Sequence, residues 1–136
     1  MCLDRMPLVK ALLVSPDGES RQAMRVIVSA LERRLGTEVE FLEATDGERA
    51  ASMADRESPK LIVADEIASR AGAFALAKEL RDRLDPFAGV VAILLERRHD
   101  SWLAEWSGAD AWFVKPLDPF AVTDRLAELL SERERV

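Results

Sequence analysis

At 136 residues, 49% hydrophobic and 32% charged, the chain has the length and balance of one globular domain with a sizeable core, which excludes a disordered segment. A net charge of −6, with its basic residues scattered among acids, argues against a nucleic-acid or anionic-membrane surface. The single cysteine, Cys2, leaves no internal disulfide and fits a reducing cytoplasmic setting, with Cys2 inert. The first seven residues lack the apolar stretch of a signal peptide, and the longest apolar run, Val90 to Leu95, is far too short to span a bilayer.

Strand-like and helix-like segments alternate along the chain. Residues 8–14 read as a first strand, broken by Pro16, Asp17 and Gly18. Residues 19–35 read as one helix, with Met24, Ile27, Val28, Leu31 and Leu35 at helical spacing and Gly36 as its stop. Residues 39–43 alternate in part, as an edge strand with one wetter face does. A short polar helix over 46–56 follows, capped by Thr45 or Asp46. The third strand covers 60–65, and the next helix covers 73–84 with Leu76, Leu80 and Leu84 on one stripe.

Val90 to Leu95 is apolar throughout, as a strand covered on both faces should be. A short fourth helix over 100–107 carries Trp102, Leu103 and Trp106. The fifth strand is 111–114. Asp118 and Pro119 start the last helix, with Val122, Leu126, Leu129 and Leu130 as its apolar stripe. These five βα units predict an α/β fold: a doubly wound parallel sheet with helices on both faces. The domain is expected over 8–131, between an N-terminal extension (1–7) and a C-terminal tail (132–136).

In such sheets ligands gather outside the carboxyl ends of the strands. Those ends are Ser15-Pro16-Asp17, Asp65, Leu94-Leu95-Glu96 and Lys115. The topology therefore brings a lone carboxylate, Asp65, and a lone ammonium, Lys115, toward one polar crevice.

These segments resemble the receiver domains of two-component response regulators over roughly 8–130. Val9-Lys10-Ala11-Leu12-Leu13-Val14-Ser15-Pro16-Asp17 is similar to the family's first strand and acidic loop. Pro59-Lys60-Leu61-Ile62-Val63-Ala64-Asp65 resembles the third strand that ends in the phospho-acceptor aspartate. Gly108-Ala109-Asp110-Ala111-Trp112-Phe113-Val114-Lys115-Pro116-Leu117-Asp118-Pro119 is the most specific match, covering the family's turn, fifth strand, lysine and proline. The resemblance implies the flavodoxin-like strand order 2-1-3-4-5.

The chain departs from the family where its chemistry resides. Two adjacent acids that hold Mg²⁺ are replaced by Ser15 and Pro16, and only Asp17 is acidic. The hydroxyl that ends the family's fourth strand is replaced by Leu94 or Leu95, and the aromatic switch position before the lysine is Trp112. The segment Glu66-Ile67-Ala68-Ser69 lacks the family's usual proline.

Two roles stay open for Asp65: a carboxylate nucleophile forming an aspartyl phosphate, or a half-buried acid paired with Lys115. Lys115 is correspondingly a point charge for a phosphoryl oxygen or the partner of Asp65. Mg²⁺, the implied cofactor, would be held by Asp65 and Asp17, with Glu66 or Glu96 completing the shell, if the loop bends inward. Asp17 is otherwise a residue at a helix N-terminus. Ser15 is a neutral filler or a hydrogen-bond donor into the crevice. The Lys115-Pro116 bond is a candidate cis peptide, with a trans loop proline as the alternative.

Trp102 and Trp106 stand one turn apart, and with Trp112 they fall on the fourth-helix, fifth-strand and fifth-helix face that the resemblance implies for output and dimer contacts. At least one of these tryptophans is expected to be exposed for partner binding, against core packing as the alternative. His99 reads as a solvated loop residue rather than a phospho-carrier.

The expected function is a stand-alone, atypical receiver in phosphorelay signalling, without enzymatic activity, acting on a sensor histidine kinase or another signalling protein and as a homodimer through that face. The alternatives are a phosphorylation-independent interaction module and a small-molecule binder at the crevice, although the single glycine after the first strand disfavours nucleotide.

Overall fold

The computed structural model describes residues 8–66 and 72–134. Cys2, the 1–7 extension, and Ile67, Ala68 and Ser69 lie outside the described residues. Five strands form one parallel sheet in the order β2-β1-β3-β4-β5: β1 (Val9–Val14), β2 (Val39–Ala44), β3 (Leu61–Asp65), β4 (Val90–Leu95) and β5 (Ala111–Val114). The predicted fold class and strand order both hold.

The helices are α1 (Gly18–Ser29, continued after a break by Leu31–Leu35), α2 (Gly47–Glu57), α3 (Ala73–Asp82), α4 (Ser101–Trp106) and α5 (Pro119–Glu134). The starts of α1, α2 and α5 follow from short polar caps. The Asp17 carboxylate accepts from the Glu19 amide, Asp46 from the Arg49 amide, and Asp118 from the Phe120 amide, each supplying an acceptor to a donor the helix leaves open. Thr45 is therefore not the cap of α2. The last helix runs to Glu134, through part of the expected tail.

Side-chain alternation divides the core in two. Val9, Ala11 and Leu13 of β1, Leu61 and Val63 of β3, Val90, Ala92 and Leu94 of β4, and Ala111 of β5 face Met24, Val28 and Leu31 of α1 and Val122, Leu126 and Leu130 of α5. The opposite face packs Leu12, Ile62, Ala64, Val91, Ile93 and Leu95 against Ala50 and Ala54 of α2, Leu76 and Leu80 of α3, and Ala104 of α4. β3 and β4 are buried at every position, which explains why they read as unbroken apolar runs. β2, at the edge, exposes Glu40 and Glu43.

Three local expectations are corrected. The 19–35 helix is broken at Ala30, whose amide bonds back to the Ile27 carbonyl at 3.2 Å while Ser29 Oγ donates to the Val26 carbonyl at 2.7 Å. Both bonds span three residues and tighten the turn. Leu84 is not on the buried stripe: α3 stops at Asp82 and Leu84 is fully exposed. Leu8 and Lys60 fall outside their strands.

Beneath β4 and β5, Asp110 binds three partners. Its carboxylate pairs with Arg81, lies 2.6 Å from Arg133 Nη2, and accepts from the Val91 amide at 2.8 Å. Arg81 also donates to the Gly108 and Phe87 carbonyls. Gly108 has φ +84°, and a Cβ there would stand 2.9 Å from Arg81 Cγ, so glycine is required on both counts. No helix among the described residues is long and apolar enough to cross a membrane.

Candidate functional site

Because β1 and β3 are neighbours while their helices leave on opposite faces, a crevice opens at their carboxyl ends. Asp65 is the last residue of β3, and its side chain is entirely buried. The fifth strand delivers Lys115 through a backbone bond from its amide to the Leu95 carbonyl at 2.9 Å. Lys115 Nζ lies 2.6 Å from Asp65 Oδ1, so the sequence-predicted pair is formed. The Lys115-Pro116 peptide is cis.

Among the described residues Asp65 has one further hydrogen-bonding side chain beside it, Ser15, whose fully buried Oγ lies 3.4 Å from Asp65 Oδ2 and accepts from the Asp17 amide at 3.2 Å. Ser15 thus ties the β1 loop together and gives Asp65 only a long contact. Arg21 closes the same loop from α1: its Nη1 donates to the Ser15 carbonyl at 2.6 Å and its Nε to Glu43 at 2.7 Å.

Asp17 does not join the crevice. Its exposed carboxylate accepts from the Glu19 amide at 3.2 Å and from Ser20 Oγ at 2.9 Å, and these bonds, Ser20 first, hold its pKa below the ordinary value. Of the two roles open to Asp17, the structure places it in the cap. Among the described residues no group of three or more His, Cys, Asp or Glu side chains is placed to hold a metal ion. Mg²⁺ requires a near-octahedral oxygen shell built on one or two carboxylates. Here Asp65 stands with its Oδ1 already against an ammonium, and the donor set does not fit the ion.

Leu94 and Leu95 are both buried, one in each core layer, so neither side chain is a crevice group. The register pairs Asp65 with Leu94 and Val114 with Leu95. The first polar residue beyond β4 is Glu96, and its Oε2 lies 2.5 Å from Lys115 Nζ. Lys115 is therefore shared by two carboxylates. Burial opposes its charge, yet the contacts with Asp65 and Glu96 outweigh that and raise its pKa above the usual lysine value. Glu66, next to Asp65, has its pKa raised by desolvation and then by the charges of Asp100 and Glu96. The crevice mouth is acidic.

Sequence reasoning weighed Glu96 only as part of a metal shell. The signal that found Asp65 and Lys115, the first polar residue at a strand exit, also marks Glu96. Trp102 and Trp106 are 63% and 56% exposed, whereas Trp112 is half-buried against the α2/α3/α4 layer. Lys78 Nζ lies 5.1 Å from the Trp106 ring centroid. His99 is exposed, as expected of a loop residue.

The doubly wound sheet, the order 2-1-3-4-5 and the Asp–Lys crevice define a receiver-type α/β domain. No family model matches the chain. It is 28% identical over 130 residues to an uncharacterized response regulatory protein of Mycobacterium tuberculosis, covering 93% of this chain and 95% of that one. It is 30% identical to the alkaline phosphatase synthesis transcriptional regulatory protein PhoP of Bacillus subtilis, over 92% of this chain but 50% of PhoP.

A putative response regulator from Chloroflexus aurantiacus superposes with a TM-score of 0.78 at 18% identity, covering 92% of this chain and 99% of that one. Vibrio cholerae chemotaxis protein CheY4 gives 0.69 at 23% identity, covering 90% and 99%. The resemblance read from the sequence holds: the chain has the receiver fold and, along nearly its whole length, is similar to a response regulatory protein, the kind of protein used in two-component signalling.

Proposed function

We propose that this chain is an atypical receiver that signals through protein contacts, its crevice held by internal charges rather than by Mg²⁺-dependent phosphorylation of Asp65. The observation that carries the reading is the diversion of Asp17 to the α1 cap, which leaves Asp65 without a second acidic ligand from the β1 loop. The contact surface is the α4/β5/α5 face, with Trp102 and Trp106 as aromatic anchors for another signalling protein or a second copy. The domain acts as a binding module rather than an enzyme, and a sensor histidine kinase is one partner of the appropriate class.

A second reading rests on the 2.6 Å approach of Lys115 to Asp65, which supplies an acceptor carboxylate and the cation for a phosphoryl oxygen. Beryllofluoride with and without Mg²⁺, followed by tryptophan fluorescence and NMR, separates the two. The proposed function expects no Mg²⁺-dependent change and an Asp65→Asn variant that responds like wild type. A saturable, Mg²⁺-dependent change lost in Asp65→Asn assigns the phosphorylation reading instead.

A further inference from the structure

We propose that Glu96 is the residue that keeps this crevice closed to a phosphoryl group: its carboxylate is an internal oxyanion seated on Lys115 where an incoming phosphoryl oxygen needs the ammonium. The inference deepens the proposed function and rests on its reading of the Asp65–Lys115 crevice as one held by internal charges.

Three observations carry it. The first is occupancy. A lysine ammonium has three donor positions. Glu96 Oε2 at 2.5 Å takes one of them with proper hydrogen-bond direction, and Asp65 Oδ1 stands against the same ammonium at 2.6 Å. Asp65 Oδ1 is within ion-pair distance but receives no well-directed hydrogen bond, so the ammonium is turned toward Glu96.

The second is placement by the fold. The Lys115 amide bonds to the Leu95 carbonyl, which fixes the start of the loop after β5 beside the residue that follows β4. The Glu96 backbone is thereby set next to Lys115 by register, within reach of its ammonium. The Asp65 side chain is fully buried, the Lys115 side chain is 29% exposed and the Glu96 side chain 50% exposed, so Glu96 stands on the solvent side of the pair. A ligand approaching Asp65 along the lysine meets Glu96 first.

The third is charge. One ammonium already faces two carboxylates, and Glu66 and Asp100 add negative charge at the mouth, opposed by Arg97. An oxyanion entering against that balance is repelled, and removing one carboxylate relieves both the repulsion and the competition for Lys115.

The test compares wild type, Glu96→Gln and Glu96→Ala, using inorganic phosphate without added metal as the probe. ³¹P NMR reports bound phosphate and the ε-methylene signal of Lys115 reports its environment. Glu96→Gln keeps the shape of a half-exposed side chain, and amide-spectrum dispersion of both variants checks the fold. The expected result is at least tenfold tighter phosphate binding by both variants than by wild type, with the Lys115 signal shifting on binding and the gain lost when Lys115→Met is added. Equal behaviour of wild type and both variants overturns the role of Glu96. That failure is distinct from failure of the proposed function, which a Mg²⁺-dependent beryllofluoride response of wild type overturns.

Discussion

Lys115 Nζ stands 2.6 Å from Asp65 Oδ1 and so joins the exits of β5 and β3 across the intervening β4. One member of the pair is fully buried and the other mostly so, which makes the two halves unequal in what their loss does. Lys115→Met leaves a buried carboxylate with only the long Ser15 contact among the described residues, and a loss of about 3 kcal/mol is expected. Asp65→Asn removes the buried charge itself and leaves Lys115 with Glu96, so its cost is smaller. The double variant recovers much of the loss. Urea denaturation of the four proteins, read as a double-mutant cycle, measures this. Additive single effects contradict the pairing.

Lys115 also sets an alkaline limit on stability. Its folded pKa is raised above the unfolded value, so its contribution is complete below the unfolded lysine value of about 10.4 and is lost as pH rises through the folded value. Stability attributable to this group is flat through neutral pH and declines only above about pH 10. Glu66 has the opposite consequence at neutral pH. A carboxyl whose folded pKa is raised favours the fold below the unfolded value of about 4.3 and weighs against it once pH exceeds the folded value. Glu66→Gln is expected to raise the melting temperature at pH 7 and to lose that advantage below about pH 4. Melting curves from pH 3 to 11 for wild type, Lys115→Met and Glu66→Gln test both signs.

Asp17 offers a direct check on the metal argument. Its carboxylate serves the Glu19 amide and Ser20, so Asp17→Ala lowers the melting temperature by loss of a cap, while Asp17→Asn largely preserves it. Neither substitution is expected to alter the response to Mg²⁺, followed by amide shifts around Asp65. A Mg²⁺-dependent shift in wild type that disappears in Asp17→Asn shows that the loop bends inward after all.

The central strands were legible because β3 and β4 are buried on both faces and carry nothing but apolar side chains up to their polar exits, whereas the strand order came from the family resemblance. The crevice pair was legible for the same reason, since Asp65 and Lys115 are the first charges after such runs. The break at Ala30 was not, because Met24, Val28 and Leu31 keep helical spacing across it and only the three-residue hydrogen bonds reveal it. Leu84 looked like a core residue by spacing, but a periodic pattern does not say where a helix ends. Glu96 is marked by the same strand-exit signal, but its seat on Lys115 is not, because it depends on a side chain in another loop.

At the other end of the sheet Asp110 serves two arginines and the Val91 amide with its side chain 18% exposed. Asp110→Ala strips partners from Arg81, Arg133 and a β4 amide at once, and a loss of about 3 kcal/mol is expected. Gly108→Ala places a methyl against Arg81 in a left-handed backbone and is expected to cost more than about 1 kcal/mol. Neither change reaches the crevice, so the Lys115 signal in NMR should stay in place while the unfolding midpoint falls. A shifted Lys115 signal would mean that the two ends of the sheet are coupled.

Trp102 and Trp106 separate contact from stability. Both rings are more than half exposed, so their removal takes little from the core, and Trp102→Ser with Trp106→Ser is expected to change stability by about 0.5 kcal/mol or less per site. If the α4/β5/α5 face is the contact surface, the same double variant loses self-association, which sedimentation velocity of wild type and variant across a concentration series measures, and its affinity for a cognate signalling partner falls by at least tenfold. Trp112→Ala is the counterpart, since that ring is half-buried against the α2/α3/α4 layer and its truncation removes core contacts; a loss of about 2 kcal/mol is expected. Unchanged association and partner affinity in the Trp102/Trp106 variant moves the contact surface elsewhere on the domain.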